Sequence, residues 1–213
     1  MKQYCIDNDV DFRIIASVHS PRASFVTYVY SILNVLHNIL PINENDILYS
    51  LDSLFDVGKK ISSNNLTCTN PSINLAEKIT GIPLIYYPYG LQSAAIRLKS
   101  ALQENAKMHV IIEDVIESCH NGIVAWENDS AVQPILLQGF DDYVKTKERF
   151  LIIEKFFDDL QIDFLSVSSI AGNILSKIIS LIYLFDYASI YRAILSEIDP
   201  SPVKSIDYIK SKI

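Results

Sequence analysis

Apolar and polar positions along the chain fall into two periods. Leu91, Ala94, Ala95, Leu98 and Leu102 recur at helical spacing, which predicts a helix over 91–104 with one apolar face. Residues 82–87 (IPLIYY) form instead a short, unbroken apolar run, the pattern of a buried strand, limited at its start by Pro83. Residues 134–138 (PILLQ) and 162–167 read as strands too, whereas 110–112 fits a strand or part of another helix. Upstream, 10–18 (VDFRIIASV) predicts a short strand leading into Ser20-Pro21-Arg22, a helix start with Ser20 as cap and Pro21 at the first helical position. The helix to about Leu40 is apolar around more than one face and calls for two neighbours to cover it. Pro41 stops it, and Asn43 or Asn45 opens a second helix through about Ile61. A polar loop over 62–71 ends at Asn70-Pro71, which starts a short helix stopped by Gly81. Further on, a charged amphipathic helix over 141–159 has Asp141 and Asp142 at its N-terminus. A very apolar helix over 169–197 ends at Asp199-Pro200-Ser201-Pro202, and a short tail helix holds Ile206, Ile209 and Lys210. Strands alternating with helices predict an α/β fold with a parallel sheet.

Composition narrows the function classes. At 213 residues the chain has room for one large domain, or one domain plus a remnant of another. A net charge of −7 and a pI near 5.0 argue against nucleic acid, whose phosphates such a surface repels. The most apolar stretch, 162–195, is interrupted by Asp163, Lys177, Asp186 and Arg192 and reads as buried helix, so no membrane partner is expected. Asp7, Asp9 and Asp11 stand near the start with no secretory signal before them. Cys5, Cys68 and Cys119 are odd in number and lack a CxxC spacing, which points to reduced thiols in a cytoplasm.

Four residues are candidates for chemistry. Glu104 falls at the end of a predicted helix, where the negative end of the macrodipole faces its carboxylate, a setting suited to a proton shuttle. The bland alternative is a surface glutamate paired with Lys107 or Lys99. His120 can exchange a proton near neutral pH, although a lone histidine is more often a solvated or satisfied side chain. Its neighbour Cys119 makes a weak thiol–imidazole couple, because adjacent side chains usually point apart. Arg22 stands at a helix start, where a guanidinium can grip an anion or simply project into water. Lys210 alone reads as a solvated cation. The four histidines share no ligand spacing, and no glycine-rich phosphate loop is present.

Taken together, these landmarks resemble a known family. Pro21-Arg22-Ala23, the helix Ala95-Ile96-Arg97-Leu98-Lys99 running into Glu104-Asn105-Ala106-Lys107, and His120-Asn121 ahead of Trp126-Glu127 are similar to the bifunctional phosphoglucose/phosphomannose isomerase family. So is the closing run from Leu181 through Asp186-Tyr187 and Ile194-Leu195 to Asp199-Pro200-Ser201-Pro202-Val203. The resemblance implies the sugar isomerase (SIS) fold: a three-layer αβα domain with a five-stranded parallel sheet flanked by helices, two domains per full-length subunit. It implies that 1–40 is the remnant of an N-terminal SIS domain with its connecting helix, and that 41–213 is the C-terminal SIS domain with a tail helix. It also implies roles. Glu104 would move the proton between C1 and C2 of the opened sugar, and Arg22 would stabilise the enediol(ate). His120, reaching in from the neighbouring subunit of a dimer, and Lys210 would handle ring opening and hydroxyl protons. The expected substrate is a sugar 6-phosphate, with no metal and no organic cofactor.

The departures are specific. Gln103 stands where the family usually has Asn, Gly122 where a Glu often follows His-Asn, and Ser201 where Thr is common. The N-terminal domain that holds the phosphate is expected on a separate N-terminal SIS half. The competing expectation is a non-catalytic SIS-type module for phosphosugar binding or interaction.

Overall fold

The computed structural model describes residues 1–15 and 20–213, which separate into two units, Met1–Tyr49 and Ser50–Ile213. In the first unit, helix α1 (Lys2–Asp7) is followed by Asp9 in the left-handed region (φ 51°) and then by irregular backbone over 10–15. The strand expected over 10–18 is therefore not formed at 10–15, and the rest of it lies outside the described residues. Asp11 interrupts the run, and Arg13 turns aside to donate from Nε to Asn34 Oδ1 at 2.7 Å. Pro21–Ser24 is a single 3-10 turn with Pro21 at its first position. Ser20 gives no side-chain cap; its carbonyl accepts from the Ser24 hydroxyl at 2.9 Å. Helix α2 (Phe25–Val35) ends before the predicted Leu40, and α3 (Glu44–Ile61) starts where Asn43 Oδ1 accepts from the Asn45 amide.

The second unit is built on apolar runs that become parallel strands. Helix α4 (Pro71–Lys78) is capped by Asn70, whose Oδ1 accepts from the amides of Ser72 and Ile73. The helix stops at Lys78, not at Gly81 as expected, because Gln133 clamps the turn: its amide donates to Lys78 O and its Oε1 accepts from Thr80 N. Gly81 matters for a different reason. A Cβ there would lie 2.6 Å from the Ala131 carbonyl, so only glycine lets the chain enter strand β1 (Ile82–Tyr87) at this distance. Pro83 is tolerated inside this central strand. Ile82 N bonds to Ala131 O on the β3 side, so the missing proline N–H faces the other side, where pairing begins only at Leu84↔Ile111.

Helix α5 (Gln92–Asn105) returns the chain to strand β2 (Ile111–Asp114), which settles the open choice at 110–112 as strand. Short helix α6 (Val115–Ser118), capped by Asp114, and a 3-10 segment (Gly122–Glu127) lead to β3 (Val132–Gln138). Helix α7 (Val144–Asp159) starts later than predicted. Asp142 bonds the Gly139 amide and Asp141 pairs with Lys177, so both are in the turn before it. Strand β4 (Leu165–Ser168), helix α8 (Ile174–Leu195) and helix α9 (Lys204–Lys210) complete the unit.

The sheet order is β2-β1-β3-β4 and every pair is parallel, giving four strands among the described residues where the resemblance implied five. On one face, Leu84, Tyr86 and Leu136 pack with Val115, Trp126, Phe150, Ile153 and Phe157 from α6, the 3-10 segment and α7. The other face carries α4, α5 and α8, which pack closely together. Alternation along buried strands sends successive side chains to opposite layers, so both need helix cover. Helix α8 is long and apolar enough to cross a bilayer, but here it is the central helix of its layer, burying Ile179, Leu181, Ile182, Phe185, Ala188 and Ala193. Ser72 Oγ donates to Leu184 O, and Tyr191 OH donates to Ile61 O, which ties α4 and the end of α3 to it.

Candidate active site

Glu104 ends the helix that returns from β1, half-buried in the last turn of α5. Seven residues earlier on the same helix, Arg97 makes a two-pronged ion pair with Asp186 of α8, Nε–Oδ1 at 2.7 Å and a second donor to Oδ2 at 2.9 Å. Both side chains are under a fifth exposed. Burial pushes the Asp186 carboxyl up, the Arg97 guanidinium pulls it down, and the charge of Glu104 pushes it up further. Next to Glu104, Asn105 donates to Ser189 Oγ at 2.8 Å, and that hydroxyl donates to Asp186 O. One polar cluster thus joins the end of α5 to α8.

The residue that closes the helix is Lys107, in the left-handed region (φ 58°). Its ammonium donates to Glu104 O and to Pro202 O at 2.8 Å, with Pro200 O at 3.5 Å. This brings the start of the tail to the Glu104 turn. Lys210 lies in the exposed last turn of α9, which starts two residues beyond Pro202.

His120 is elsewhere. It follows α6 in the layer of α6 and α7, whereas Glu104 ends a helix in the layer of α4, α5 and α8, so the sheet stands between them. Its imidazole is exposed and makes no hydrogen bond or ion pair among the described residues. Cys119 points away from any couple with it: its thiol donates to Val115 O at 3.2 Å, and burial pushes it up. The Gly122 departure has a structural counterpart. The Glu113 carboxylate fills the space beside it, and a Cβ on Gly122 would lie 2.5 Å from Glu113 Oε1. Glu113 is itself pushed up, by burial first and then by the charge of Glu117. Arg22 belongs to the first unit, half-buried in the 3-10 turn. Within the second unit, then, the Glu104 turn and the root of the Lys210 helix come together and His120 stays apart. Among the described residues no group of three or more His, Cys, Asp or Glu is arranged to hold a metal.

The family model for the bacterial phospho-glucose isomerase C-terminal SIS domain matches residues 68–213, which include Glu104, His120 and Lys210. The chain belongs to this family. A bifunctional phosphoglucose/phosphomannose isomerase from Caldicellulosiruptor bescii is 27% identical over 227 aligned positions, covering 100% of this chain and 65% of that protein. The protein of the same description from Aquifex aeolicus is 27% identical over 166 positions, 76% of this chain and 52% of the relative. The chain therefore spans between about half and two-thirds of the length of these relatives. Solved structures agree on the SIS fold. A glucose-6-phosphate isomerase like protein from Thermus thermophilus superposes with a TM-score of 0.68 at 18% identity, over 89% of this chain and 62% of that one. A tagatose-6-phosphate ketose/aldose isomerase from Escherichia coli gives 0.63 at 14% identity, over 94% of this chain and 59% of that one.

Sequence reasoning singled out Glu104 but gave no role to the polar residues that tie its helix to α8. The available signal was Asp186, a charge within an otherwise apolar helical stretch that calls for a cationic partner such as Arg97. Buried charges are rare unless paired.

Proposed function

We propose that this chain carries the proton-transfer part of a cytoplasmic aldose–ketose isomerase that interconverts glucose 6-phosphate or mannose 6-phosphate with fructose 6-phosphate. Glu104 takes the proton from C2 of the opened aldose and returns it to C1 of the enediol(ate), leaving the ketose. The Arg22 guanidinium offsets the negative charge of the intermediate, and such electrostatic help is commonly the largest contribution to lowering a barrier. Lys210 and His120 move the hydroxyl protons and open the ring. His120 serves the site of a second subunit in a dimer, since within its own unit the sheet stands between it and Glu104. The phosphate is gripped by a region corresponding to the part of the relatives that this chain does not span. The observation that supports the reading best is the family match across a helix end where a part-buried polar cluster beside Glu104 ties α5 to α8.

The test is formation of fructose 6-phosphate from each aldose phosphate. It is run with the chain alone and with the unmatched region of the Caldicellulosiruptor relative added as a second polypeptide. Turnover in either format, lost in Glu104→Gln with sugar-phosphate affinity retained by calorimetry, supports the proposal. Binding without turnover in both formats would replace it with a non-catalytic phosphosugar-binding module.

A further inference from the structure

Lys107 stands where glycine is the usual residue. It follows Ala106, the C-cap of α5, in the left-handed conformation that ends many helices, and both Ala106 N and Met108 N bond back to Leu102 O. Any residue with a Cβ is strained there, so lysine at this position has to be accounted for by what its side chain does. The ammonium folds back over the helix end. It takes Glu104 O, one of the carbonyls left without an intrahelical partner, and reaches Pro202 O and Pro200 O in the tail. Pro200 and Pro202 have no amide hydrogen, so those two residues cannot fasten the tail by donating from their own backbone. Asp199 sits in the same turn, accepting from Ser201 N at 2.8 Å. Its carboxyl is held low first by that backbone bond, and the Lys107 charge adds to the effect.

We propose that Lys107 is a positioning residue: it fastens the tail at Pro200 and Pro202 to the turn that carries Glu104, and so sets where the helix bearing Lys210 begins. Charge-assisted bonds to carbonyl oxygens are the stronger and shorter kind. The catalytic consequence rests on the reading that Glu104 and Lys210 act on one sugar phosphate. The fastening itself does not.

Three variants of the whole chain test it: Lys107→Gly, Lys107→Met and Lys107→Arg. The glycine variant relieves the left-handed strain while losing the ammonium, so it folds and isolates the effect of the clip. By hydrogen exchange, amides at 203–213 should exchange about tenfold faster in the Gly and Met variants, with α5 unchanged, and near the wild-type rate in the Arg variant. In turnover, kcat should fall about tenfold in Gly and Met with KM changed less than about twofold, and Arg should restore most of it. Unchanged tail exchange in both Gly and Met variants would overturn the fastening. Faster tail exchange with unchanged kcat would overturn the positioning role while leaving the isomerase reading intact. A wild-type chain without turnover in either assay format would overturn that reading and the catalytic consequence with it, and the exchange rates would still decide the fastening.

Discussion

The two helical layers of the second unit hold their candidate residues in opposite ways. On the α5/α8 side, Glu104 ends a helix that is anchored by a part-buried ion pair, a side-chain amide and a lysine bridging three carbonyls. On the α6/α7 side, His120 follows α6, whose Val115 packs in the aromatic core, and its ring is exposed. A group that must meet a substrate carbon within a fraction of an ångström gains from a fixed frame. A group that completes a site on another subunit needs exposure instead. On the proposed reading, the difference separates a pre-formed element from one that acts only on assembly.

The sharpest way to break this comparison is to remove the anchor. Asp186→Ala leaves the part-buried Arg97 guanidinium without its carboxylate and should cost about 2–3 kcal/mol in urea unfolding. A loss below about 1 kcal/mol would show that the Glu104 end is held by packing alone. The other side has its own buried polar contact, in which Trp126 Nε1 donates to the Tyr86 hydroxyl at 2.9 Å. Tyr86→Phe strands that N–H and should cost about 1–3 kcal/mol. Burial pushes the Tyr86 phenol up to about 12, with the Trp126 bond pulling it down. Its folded value is above the unfolded one, so its contribution is complete below about pH 10 and is lost as pH rises through about 12. Tyr86→Phe should therefore flatten the alkaline loss of stability measured between those values, though not abolish it, because Tyr183 is also pushed up to about 12. His120→Ala should change unfolding free energy by less than about 0.5 kcal/mol, since the ring is exposed. A larger cost would place the imidazole in the fold and not in a partner's site. If it serves a partner, mixing inactive Glu104→Gln and His120→Ala subunits should restore about a quarter of the wild-type activity, because half the dimers then hold one intact site of two.

Much of this fold is legible from residue order. The run IPLIYY is strand β1 at its predicted limits, and the 3.6-residue spacing from Leu91 to Leu102 is helix α5 to within a residue. Strand β2 was ambiguous because IIED is four residues long and only half apolar, and its identity depends on the neighbour it pairs with. The run at 10–15 failed for the converse reason: it has apolar residues but no described pairing partner. The candidate site divides in the same way. Glu104 at a helix end is local information. The Arg97–Asp186 pair joins residues 89 apart, and the layer that carries His120 follows from sheet topology, so neither can be read from spacing.

The most direct measurement of the central claim is isotopic. Glucose 6-phosphate is isomerised in deuterium oxide, in whichever assay format turns over, and deuterium at C1 of the fructose 6-phosphate is read by mass spectrometry or proton NMR. With Glu104 as the base that carries the proton, the wild type should incorporate solvent deuterium to the extent that the carboxyl exchanges before returning it, and Glu104→Gln should slow both turnover and incorporation by about 10³-fold while still binding the substrate. Turnover and incorporation at the wild-type rate in Glu104→Gln would contradict it.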